Sequence, residues 1–234
     1  MREEDLNGTV AVVTGGSRGI GRHIAEALCK AGATVAITGR HKETLNAVEK
    51  ELGAACHGYV CDQRDPAAVR TMAERVQADW GAPDILVNNA GRMLGGRVAD
   101  MPLAEWNEVI ETNLTGVFLT TQAFLPGMMQ RNRGDIFMIS SMSGKKGDAG
   151  AAAYAASKFG LQGFSQALLY EVRKHNIRVM VLNPSSVNTS PDLGREFGEG
   201  EHLHAADLAA MIVHLARLPG RTLFRDMDVW GTNP

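Results

Sequence analysis

Tyr154 and Lys158 are the side chains of this sequence best suited to moving a proton. They are four residues apart, a spacing that places two side chains on the same face of an α-helix. A phenol is a poor acid at neutral pH because its pKa is about 10, but a neighbouring ammonium group favours the phenolate. Ser141 precedes the pair at the predicted end of a strand, where its hydroxyl could orient a carbonyl and stabilise developing charge. The three side chains predict proton transfer to or from a carbonyl oxygen.

A glycine-rich turn near the start of the chain indicates a nucleotide site. The segment Thr14 to Gly21 follows an apolar run that reads as a strand and precedes a helical pattern. Glycine at such a turn lets a pyrophosphate approach the backbone, and the N-terminus of the next helix offers N–H groups and a positive dipole end. The predicted contacts are Gly15, Ser17, Arg18, Gly19, Ile20 and Gly21. Neither the turn nor the tyrosine–lysine pair is specific alone, but together they predict hydride transfer.

The end of the second predicted strand bears on which nicotinamide nucleotide is expected. In NAD-binding βαβ units an acidic residue at this place holds the ribose 2′-hydroxyl. Here the strand ends Ile37-Thr38-Gly39-Arg40, and Arg18 lies inside the glycine turn. Two guanidinium groups suit a 2′-phosphate, which they bind through paired charge-assisted hydrogen bonds. NADP(H) is therefore the predicted cofactor and NAD(H) the alternative, in which Arg40 only solvates the start of the next helix.

Short apolar runs alternate with segments of helical periodicity along the whole chain. Strands are predicted over Val10 to Thr14, Thr34 to Thr38, Gly58 to Val60, Ile85 to Asn88, Ile136 to Ser140, Ile177 to Leu182 and Met227 to Trp230. Helices are predicted over Ile20 to Ala31, Lys42 to Leu52, Pro66 to Trp80, Leu103 to Met129, Ala151 to Lys174 and Ala206 to Leu218. The alternation predicts an α/β fold, in which helices cover both faces of a parallel sheet and ligands bind at the carboxyl ends of its strands.

Composition and charge exclude some classes of partner for the chain. Its 234 residues carry a formal charge of −2 with scattered basic residues, so we expect no nucleic-acid partner. No apolar run approaches the roughly 20 residues that span a bilayer, so we expect no membrane partner. The three cysteines show no CxxC spacing and the first residues lack the apolar region of a signal peptide, which predicts reduced thiols in the cytoplasm. One domain over residues 1–234 is favoured over two small ones.

Residues 184–203 read as a lid over the substrate. The irregular stretch Pro184 to Glu201 leaves the sixth predicted strand where substrate would lie, although a plain surface loop is the alternative. The predicted substrate wall is largely apolar and consists of Met93, Leu94, Met142, Ser143, Leu193 and Phe197. Such a wall would accept many hydrophobic ketones. We expect no metal site, because the seven histidines are scattered and His202 with His204 lack further ligands at zinc spacing.

Several short motifs, taken in order, resemble those of the short-chain dehydrogenase/reductase family. They are Thr14 to Gly21, Cys61-Asp62, Asn88-Asn89-Ala90-Gly91, Asn113, Ser141, and Tyr154 with Lys158, and they span residues 9 to about 190. The resemblance is to the compact single-domain members, which include 3-oxoacyl-acyl-carrier-protein reductases. It implies a three-layer, doubly wound Rossmann-type fold with a seven-stranded parallel sheet, an NAD(P)(H) cofactor, and reversible conversion between a carbonyl compound and an alcohol.

The resemblance also implies roles for residues that spacing alone does not single out. Asn113 would hold a water that links Lys158 to a proton relay. Further cofactor contacts would come from Asp62 and Gln63 beside the adenine, from Asn89, Ala90 and Gly91 behind the ribose, and from Pro184, Val187 and Thr189 after the sixth strand. Ser185 stands where the family usually has glycine. The C-terminus, Arg225 to Pro234, lacks the glycine-rich ending of many acyl-carrier-protein ketoreductases, which counts against a 3-oxoacyl thioester as substrate.

Three functions agree with these residues. The favoured one is an NADP(H)-dependent oxidoreductase that reduces a ketone or aldehyde, with Tyr154 as general acid and base and Lys158 as charge partner and ribose anchor. The alternatives are a non-catalytic NADP(H)-binding redox sensor and an NAD-linked alcohol dehydrogenase. The family resemblance also implies a homodimer or homotetramer built on the long helices, where Gly160 and Gly163 would allow close packing. Packing within one subunit is the alternative explanation for these glycines.

Overall fold

A seven-stranded parallel sheet lies at the centre of the chain. The computed structural model describes residues 6–189 and 203–232. Its strands are β1 (Val10–Thr14), β2 (Thr34–Gly39), β3 (Cys56–Val60), β4 (Ile85–Asn88), β5 (Gly134–Ile139), β6 (Ile177–Pro184), β7 (Val187–Asn188), β8 (Leu203–His204) and β9 (Asp226–Val229). The short strands β7 and β8 pair with each other, and the other seven form the main sheet. All seven predicted strands are confirmed, with ends that shift by at most two residues.

The order of the strands creates a crevice at the middle of the sheet. The order is β3-β2-β1-β4-β5-β6-β9, and every neighbouring pair is parallel. The chain reverses its direction of winding between β1 and β4. In doubly wound sheets, ligands bind outside the carboxyl ends of the strands at such a reversal. The Rossmann-type α/β class predicted from the sequence is confirmed, and its binding crevice lies beside the glycine-rich turn that follows β1.

Helices cover both faces of the sheet and bury it in two apolar layers. They are α1 (Gly19–Lys30), α2 (Lys42–Leu52), α3 (Pro66–Trp80), α4 (Leu103–Ile110), α5 (Gly116–Gln130), α6 (Ala152–Val172) and α7 (Ala205–Arg217). Successive side chains of a strand point to opposite faces. Val13 of β1 accordingly packs in the layer formed with α1, α2 and α7, and Val12 in the layer formed with α3, α5 and α6. Both valines are fully buried, which explains why the strands read as apolar runs.

The helix predicted over Leu103 to Met129 is interrupted. Between α4 and α5 the backbone makes a π-helical turn over Glu111–Thr115, with Asn113 buried at its centre. Such π turns are rare and often occur at functional sites. Hydrophobic periodicity did not reveal this turn. The extra residue of a π turn shifts the phase of the apolar pattern, but the chain remains helical on both sides.

The two ends of the predicted lid are held together by the short strands. In the pairing of β7 with β8, Val187 lies opposite Leu203 and Asn188 opposite His204. The interior of the lid, including the predicted wall residues Leu193 and Phe197, lies outside the described residues, as does His202. Ser185 has a negative φ, so its position does not require glycine, and its N–H donates to the carbonyl oxygen of Val229 at 2.9 Å.

Over residues 6–189 and 203–232, no helix has the length and apolar character needed to cross a membrane. Within the same ranges, no three side chains among the histidines, cysteines, aspartates and glutamates are grouped so that they could hold a metal ion.

Candidate active site

Tyr154 and Lys158 lie one turn apart in α6, next to the carboxyl end of β5. Lys158 is buried, and its Nζ donates a hydrogen bond to the carbonyl oxygen of Ile139, the last residue of β5, at 2.7 Å. The same Nζ lies 5.6 Å from the centre of the Tyr154 ring. Loss of hydration on burial lowers the pKa of Lys158 to about 8. The structure thus brings the predicted pair together and holds the ammonium group in a poorly hydrated place.

Ser141 begins a short turn directly after β5 and contacts the Tyr154 phenol. Its Oγ accepts a hydrogen bond from the N–H of Ser143 at 3.1 Å, which caps the turn Met142–Gly144. Burial raises the pKa of Tyr154 above its ordinary value, and a hydrogen bond with Ser141 opposes that rise. The phenol is therefore protonated at neutral pH, and it lies beside a second hydroxyl. Both groups can donate to one carbonyl oxygen.

Asn113 links the π turn to the segment that follows β4 and to α6. Its Oδ1 accepts from the N–H of Arg92 at 2.7 Å, and its Nδ2 donates to the carbonyl oxygen of Arg92 at 2.9 Å. The same Nδ2 donates to Ser157 Oγ, 3.0 Å away and next to Lys158 in the chain. The described contacts of Asn113 therefore reach the neighbour of Lys158 and not Lys158 itself. The water-holding role implied by the family resemblance stays a prediction.

The glycine turn after β1 is a cradle that side chains would fill. Gly15 has a φ of +65°, and a Cβ there would lie 2.9 Å from the Cα of Ala90. A Cβ on Gly21 would lie 2.4 Å from both Asn89 Nδ2 and the carbonyl oxygen of Gly15. Both distances are too short for a real side chain, so glycine is required at each place. The turn leads into α1, which has no side-chain cap at its N-terminus, and the free N–H groups of a helix N-terminus favour a bound anion.

The turn is held by the end of β4. Asn89 Nδ2 donates to the carbonyl oxygen of Thr14 at 2.9 Å, and Thr14 Oγ1 accepts from the N–H groups of Asn89 and Ala90, each at 3.0 Å. The amide of Asn88, on the other face of the strand, instead donates to Thr121 Oγ1 of α5 at 3.1 Å. Sequence reasoning missed Thr14 and Ser157 as partners, although the place of Thr14 at the end of a strand before glycine was a usable signal.

Arg18 and Arg40 are exposed beside the crevice. Neither forms a salt bridge with any residue in 6–189 or 203–232. Asp62 is close to Arg40 but is held by Arg64, whose Nη2 lies 2.6 Å from its Oδ2. Arg64, and more weakly Arg40, lowers the pKa of the Asp62 carboxyl. Two guanidinium groups without carboxylate partners fit a bound phosphate.

Gln63 lies in a different environment from the one that its predicted role needs. Its side chain is buried, and Nε2 donates to the carbonyl oxygens of Thr112 at 2.6 Å and Ala90 at 3.3 Å. The amide thus links the end of β4 to the π turn. Its contribution to adenine binding stays a prediction, one that these two hydrogen bonds do not support.

The remaining predicted cofactor and substrate residues line the same edge of the sheet. Thr189 lies near the glycine turn, with its Cγ2 3.8 Å from where a Cβ of Gly19 would be. Pro184 ends β6, and Ile20 and Val187 pack against the core. Gly91 is exposed, and Ser17 Oγ lies 3.3 Å from where a Cβ of Gly39 would be. Of the predicted wall, Met93 is exposed and Leu94, Met142 and Ser143 are half-buried.

These features agree with a pyridine dinucleotide held along the crevice. The glycine cradle and the end of α1 would hold the pyrophosphate, Arg18 and Arg40 a 2′-phosphate, and Lys158 the ribose near the reacting ring. The fit rests on shape and charge, because the cradle excludes side chains and the two arginines have no carboxylate partner among the described residues.

Comparison with known sequences finds a match to the short chain dehydrogenase family over residues 9–197. The 3-oxoacyl-[acyl-carrier-protein] reductase FabG of Escherichia coli (strain K12) is 42% identical over 185 residues, which cover 79% of this chain and 76% of that protein. A putative ketoacyl reductase of Streptomyces coelicolor is 42% identical over 185 residues, which cover 77% of this chain and 71% of that protein.

Comparison with solved structures gives the same result over nearly the whole chain. A metagenomic short-chain oxidoreductase, solved in complex with NADP, is similar with a TM-score of 0.86 and 38% identity, covering 98% of this chain and 99% of the other. The serine dehydrogenase of Escherichia coli is similar with a TM-score of 0.87 and 30% identity, covering 95% and 97%.

Proposed function

This chain belongs to the short-chain dehydrogenase family of oxidoreductases, and on that premise we propose that it is an NADP(H)-dependent reductase of ketones or aldehydes. The observation that carries the proposal is the convergence of a buried ammonium group, a protonated phenol and a serine hydroxyl at the end of β5. This group lies at the same edge of the sheet as the glycine cradle. The names of the similar proteins, a 3-oxoacyl reductase and an oxidoreductase in complex with NADP, support both the reaction and the cofactor.

The proton chemistry follows from the side chains of the site. A bound reduced nicotinamide would supply the hydride. Tyr154 donates its phenolic proton to the carbonyl oxygen of the substrate, and Ser141 Oγ donates a hydrogen bond that orients the same oxygen. The phenolate left behind is unfavourable in a poorly hydrated site unless a positive charge is near, and the Lys158 ammonium supplies that charge. In the direction of alcohol oxidation, Tyr154 takes the proton back.

The preference for NADP(H) rests on Arg18 and Arg40. Each guanidinium group is exposed near the place where the 2′ position of the adenosine ribose would lie, and the nearby carboxylate of Asp62 is already paired with Arg64. A 2′-phosphate would neutralise the positive charge of the two arginines, whereas a 2′-hydroxyl carries no charge and would not. NAD(H) would bind without this contribution.

The assembly proposed for the chain is a homodimer or homotetramer formed through α5 and α6. Phe118, Phe159 and Tyr170 are exposed apolar side chains on these helices. Gly160 is explained within the subunit, because a Cβ there would lie 2.7 Å from Cδ2 of Leu114. A Cβ on Gly163, in contrast, meets no atom of residues 6–189 or 203–232 within 4 Å, so packing among these residues does not account for it. Light scattering on the purified protein distinguishes monomer, dimer and tetramer.

Two further proposals concern the whole chain. We propose that residues 1–234 form one nucleotide-binding domain with a substrate lid at about 184–203, a view supported by the pairing of β7 with β8 at the ends of that segment. We also propose the cytoplasm as the location. The unpaired state of Cys29, Cys56 and Cys61 supports it.

The test of the proposed function is NADPH consumption with a panel of ketones, aldehydes, diketones and an acetoacetyl thioester, with NADH run in parallel. The Tyr154→Phe variant keeps the ring and loses the proton. We expect its kcat to fall by about a thousandfold while its affinity for NADPH stays within about twofold, because the phenol acts on the substrate carbonyl. Substantial turnover by Tyr154→Phe would overturn the assignment, and tight NADPH binding without turnover by wild type would favour a sensor.

A further inference from the structure

A chain of polar side chains connects the catalytic turn to the last strand of the sheet. Its members come from α6 and from the ends of β5, β6 and β9, together with the turn that carries Ser141. The members of this polar chain are Ser140, Gln162, Asn183, Asp226, Asp228 and Lys145. None of these residues belongs to the proton-transfer group or to the glycine cradle.

The centre of the polar chain is Asn183, which is fully buried next to Pro184. Its Oδ1 accepts from Nε2 of Gln162 at 2.5 Å, and its Nδ2 donates to Oδ1 of Asp226 at 2.5 Å and of Asp228 at 3.0 Å. Gln162 lies one helical turn after Lys158, and its Nε2 is also within 3.5 Å of Ser140 Oγ. Both sides of the Asn183 amide are therefore used, as a buried amide requires.

Asp226 and Asp228 alternate along β9 with Met227 and Val229, which pack against the core. Charges on an edge strand commonly serve only to prevent pairing with another chain. Here both carboxylates turn toward Asn183 and share one further cation, Lys145. Its Nζ lies 3.0 Å from Oδ2 of Asp226 and 2.5 Å from Oδ1 of Asp228. Protection of the edge alone would not require these contacts.

Lys145 follows the Ser141 turn directly. Upstream, the turn is fixed by the sheet, because the N–H of Ser140 donates to the carbonyl oxygen of Leu182 at 2.8 Å. Downstream, residues 145–150 are exposed, and the local bonds run from the N–H groups of Gly144, Lys145 and Lys146 to the turn itself. Two long-range polar contacts hold residues 145–150: the ion pairs of Lys145 with β9, and a hydrogen bond from the N–H of Gly96 to the carbonyl oxygen of Gly150 at 2.8 Å. The contacts of Lys145 are the nearer of the two to Ser141 along the chain.

We propose that Lys145, held by Asp226 and Asp228, is a positioning residue that fixes Ser141 against α6 and so sets the rate of carbonyl reduction. The proposal rests on the proposed function, because it assigns Lys145 an effect through Ser141 rather than a contact with substrate. The Lys145 ammonium also holds the pKa of the Asp228 carboxyl below its ordinary value, so that carboxyl stays charged at neutral pH. The last strand of the sheet thereby takes part in catalysis.

Lys146 provides a matched control. It is the next residue, carries the same charge and pairs with Asp148 at 3.4 Å, two residues away in the same loop. Its side chain is 79% exposed, whereas that of Lys145 is 31% exposed. Lys145→Met and Lys146→Met therefore make the same chemical change at neighbouring positions, and only the first breaks the contact with β9.

The experiment measures kcat, the KM for NADPH and thermal stability for wild type, Lys145→Met, Lys145→Arg and Lys146→Met. We expect Lys145→Met to lower kcat by roughly tenfold at an unchanged KM for NADPH, because a small displacement of an orienting group slows the chemical step. Lys145→Arg should restore most of the rate, Asp228→Asn should repeat the loss, and Lys146→Met should behave as wild type. Equal kcat values for Lys145→Met and Lys146→Met would overturn the proposal.

Hydrogen exchange separates a failure of this proposal from a failure of the proposed function. Amides of residues 141–147 should exchange faster in Lys145→Met than in wild type or Lys146→Met, whether or not the wild type reduces any carbonyl of the panel. Unchanged exchange in this segment would overturn the positioning role on its own. Faster exchange together with an unchanged kcat would overturn it too, because the turn would then move without consequence for the reaction.

Discussion

The two halves of the site are held in place by different means. The nucleotide half, the turn Gly15 to Gly21, is shaped by backbone atoms and by glycines that leave space free, and the side chains of Thr14 and Asn89 hold it in place. The chemical half, Ser141, Tyr154, Lys158 and Asn113, is formed by partly or fully buried side chains from the turn after β5, from α6 and from the π turn. Function of the nucleotide half depends on the shape of its backbone, and function of the chemical half depends on the charge and hydration of its side chains. Variants in the two halves should therefore fail in different ways.

At Lys158 we expect opposite effects on catalysis and on stability. Replacement by Met should lower kcat by at least about a hundredfold, because the phenolate of Tyr154 loses its neighbouring charge. The same variant should be more stable than wild type at pH 7 without nucleotide, because a poorly hydrated ammonium group is removed. Steady-state kinetics and chemical denaturation measure the two effects.

The pH dependence of stability identifies the cause of this opposition. Burial lowers the pKa of Lys158 from an ordinary 10.5 to about 8, so between these values the unfolded chain binds more protons than the folded one. The free energy of unfolding of wild type relative to Lys158→Met should therefore rise with pH across this window, by up to about 3 kcal/mol. If the difference in free energy of unfolding between wild type and Lys158→Met stayed constant from pH 7 to pH 10.5, the burial of the Lys158 ammonium group would be contradicted.

A smaller effect is expected from closing the glycine cradle. Gly21→Ala places a methyl group 2.4 Å from the carbonyl oxygen of Gly15, so the turn must shift. We expect a loss of about 2 kcal/mol, which is roughly thirtyfold in affinity for NADPH. Gly220→Ala is the control, because this glycine is exposed between α7 and β9, its added methyl group meets no described atom within 4 Å, and binding should stay unchanged. Titration of both variants with NADPH measures the difference. Equal affinities would contradict the claim that the space left by glycine is needed for nucleotide binding.

The smallest of these effects concerns Arg40, and it tests which nucleotide the nucleotide half prefers. Arg40→Ala should raise the KM for NADPH by about tenfold and leave the KM for NADH nearly unchanged, because one guanidinium contact with the 2′-phosphate is lost. NADH serves as the internal control for misfolding. A parallel rise in both KM values would show that Arg40 does not distinguish the two nucleotides.

Sequence patterns predicted the nucleotide half better than the surroundings of the chemical half. Glycine spacing and apolar strands are local signals, and the turn after β1 lies where they place it. The π turn around Asn113 leaves no local signal, and Gln63 is turned inward by carbonyl groups of Thr112 and Ala90 that are distant in the sequence. The contact of Lys145 with Asp228 joins residues 83 positions apart, which no short motif encodes. Contacts between distant strands required the folded structure.

The most direct test measures NADPH affinity and kcat together on Gly21→Ala and Tyr154→Phe. The division of the site predicts a crossed result: Gly21→Ala loses affinity and keeps most of its kcat at saturating NADPH, whereas Tyr154→Phe keeps its affinity and loses its kcat. If both variants lost affinity and kcat to the same degree, the two halves would not be separable and the account of the site would be wrong.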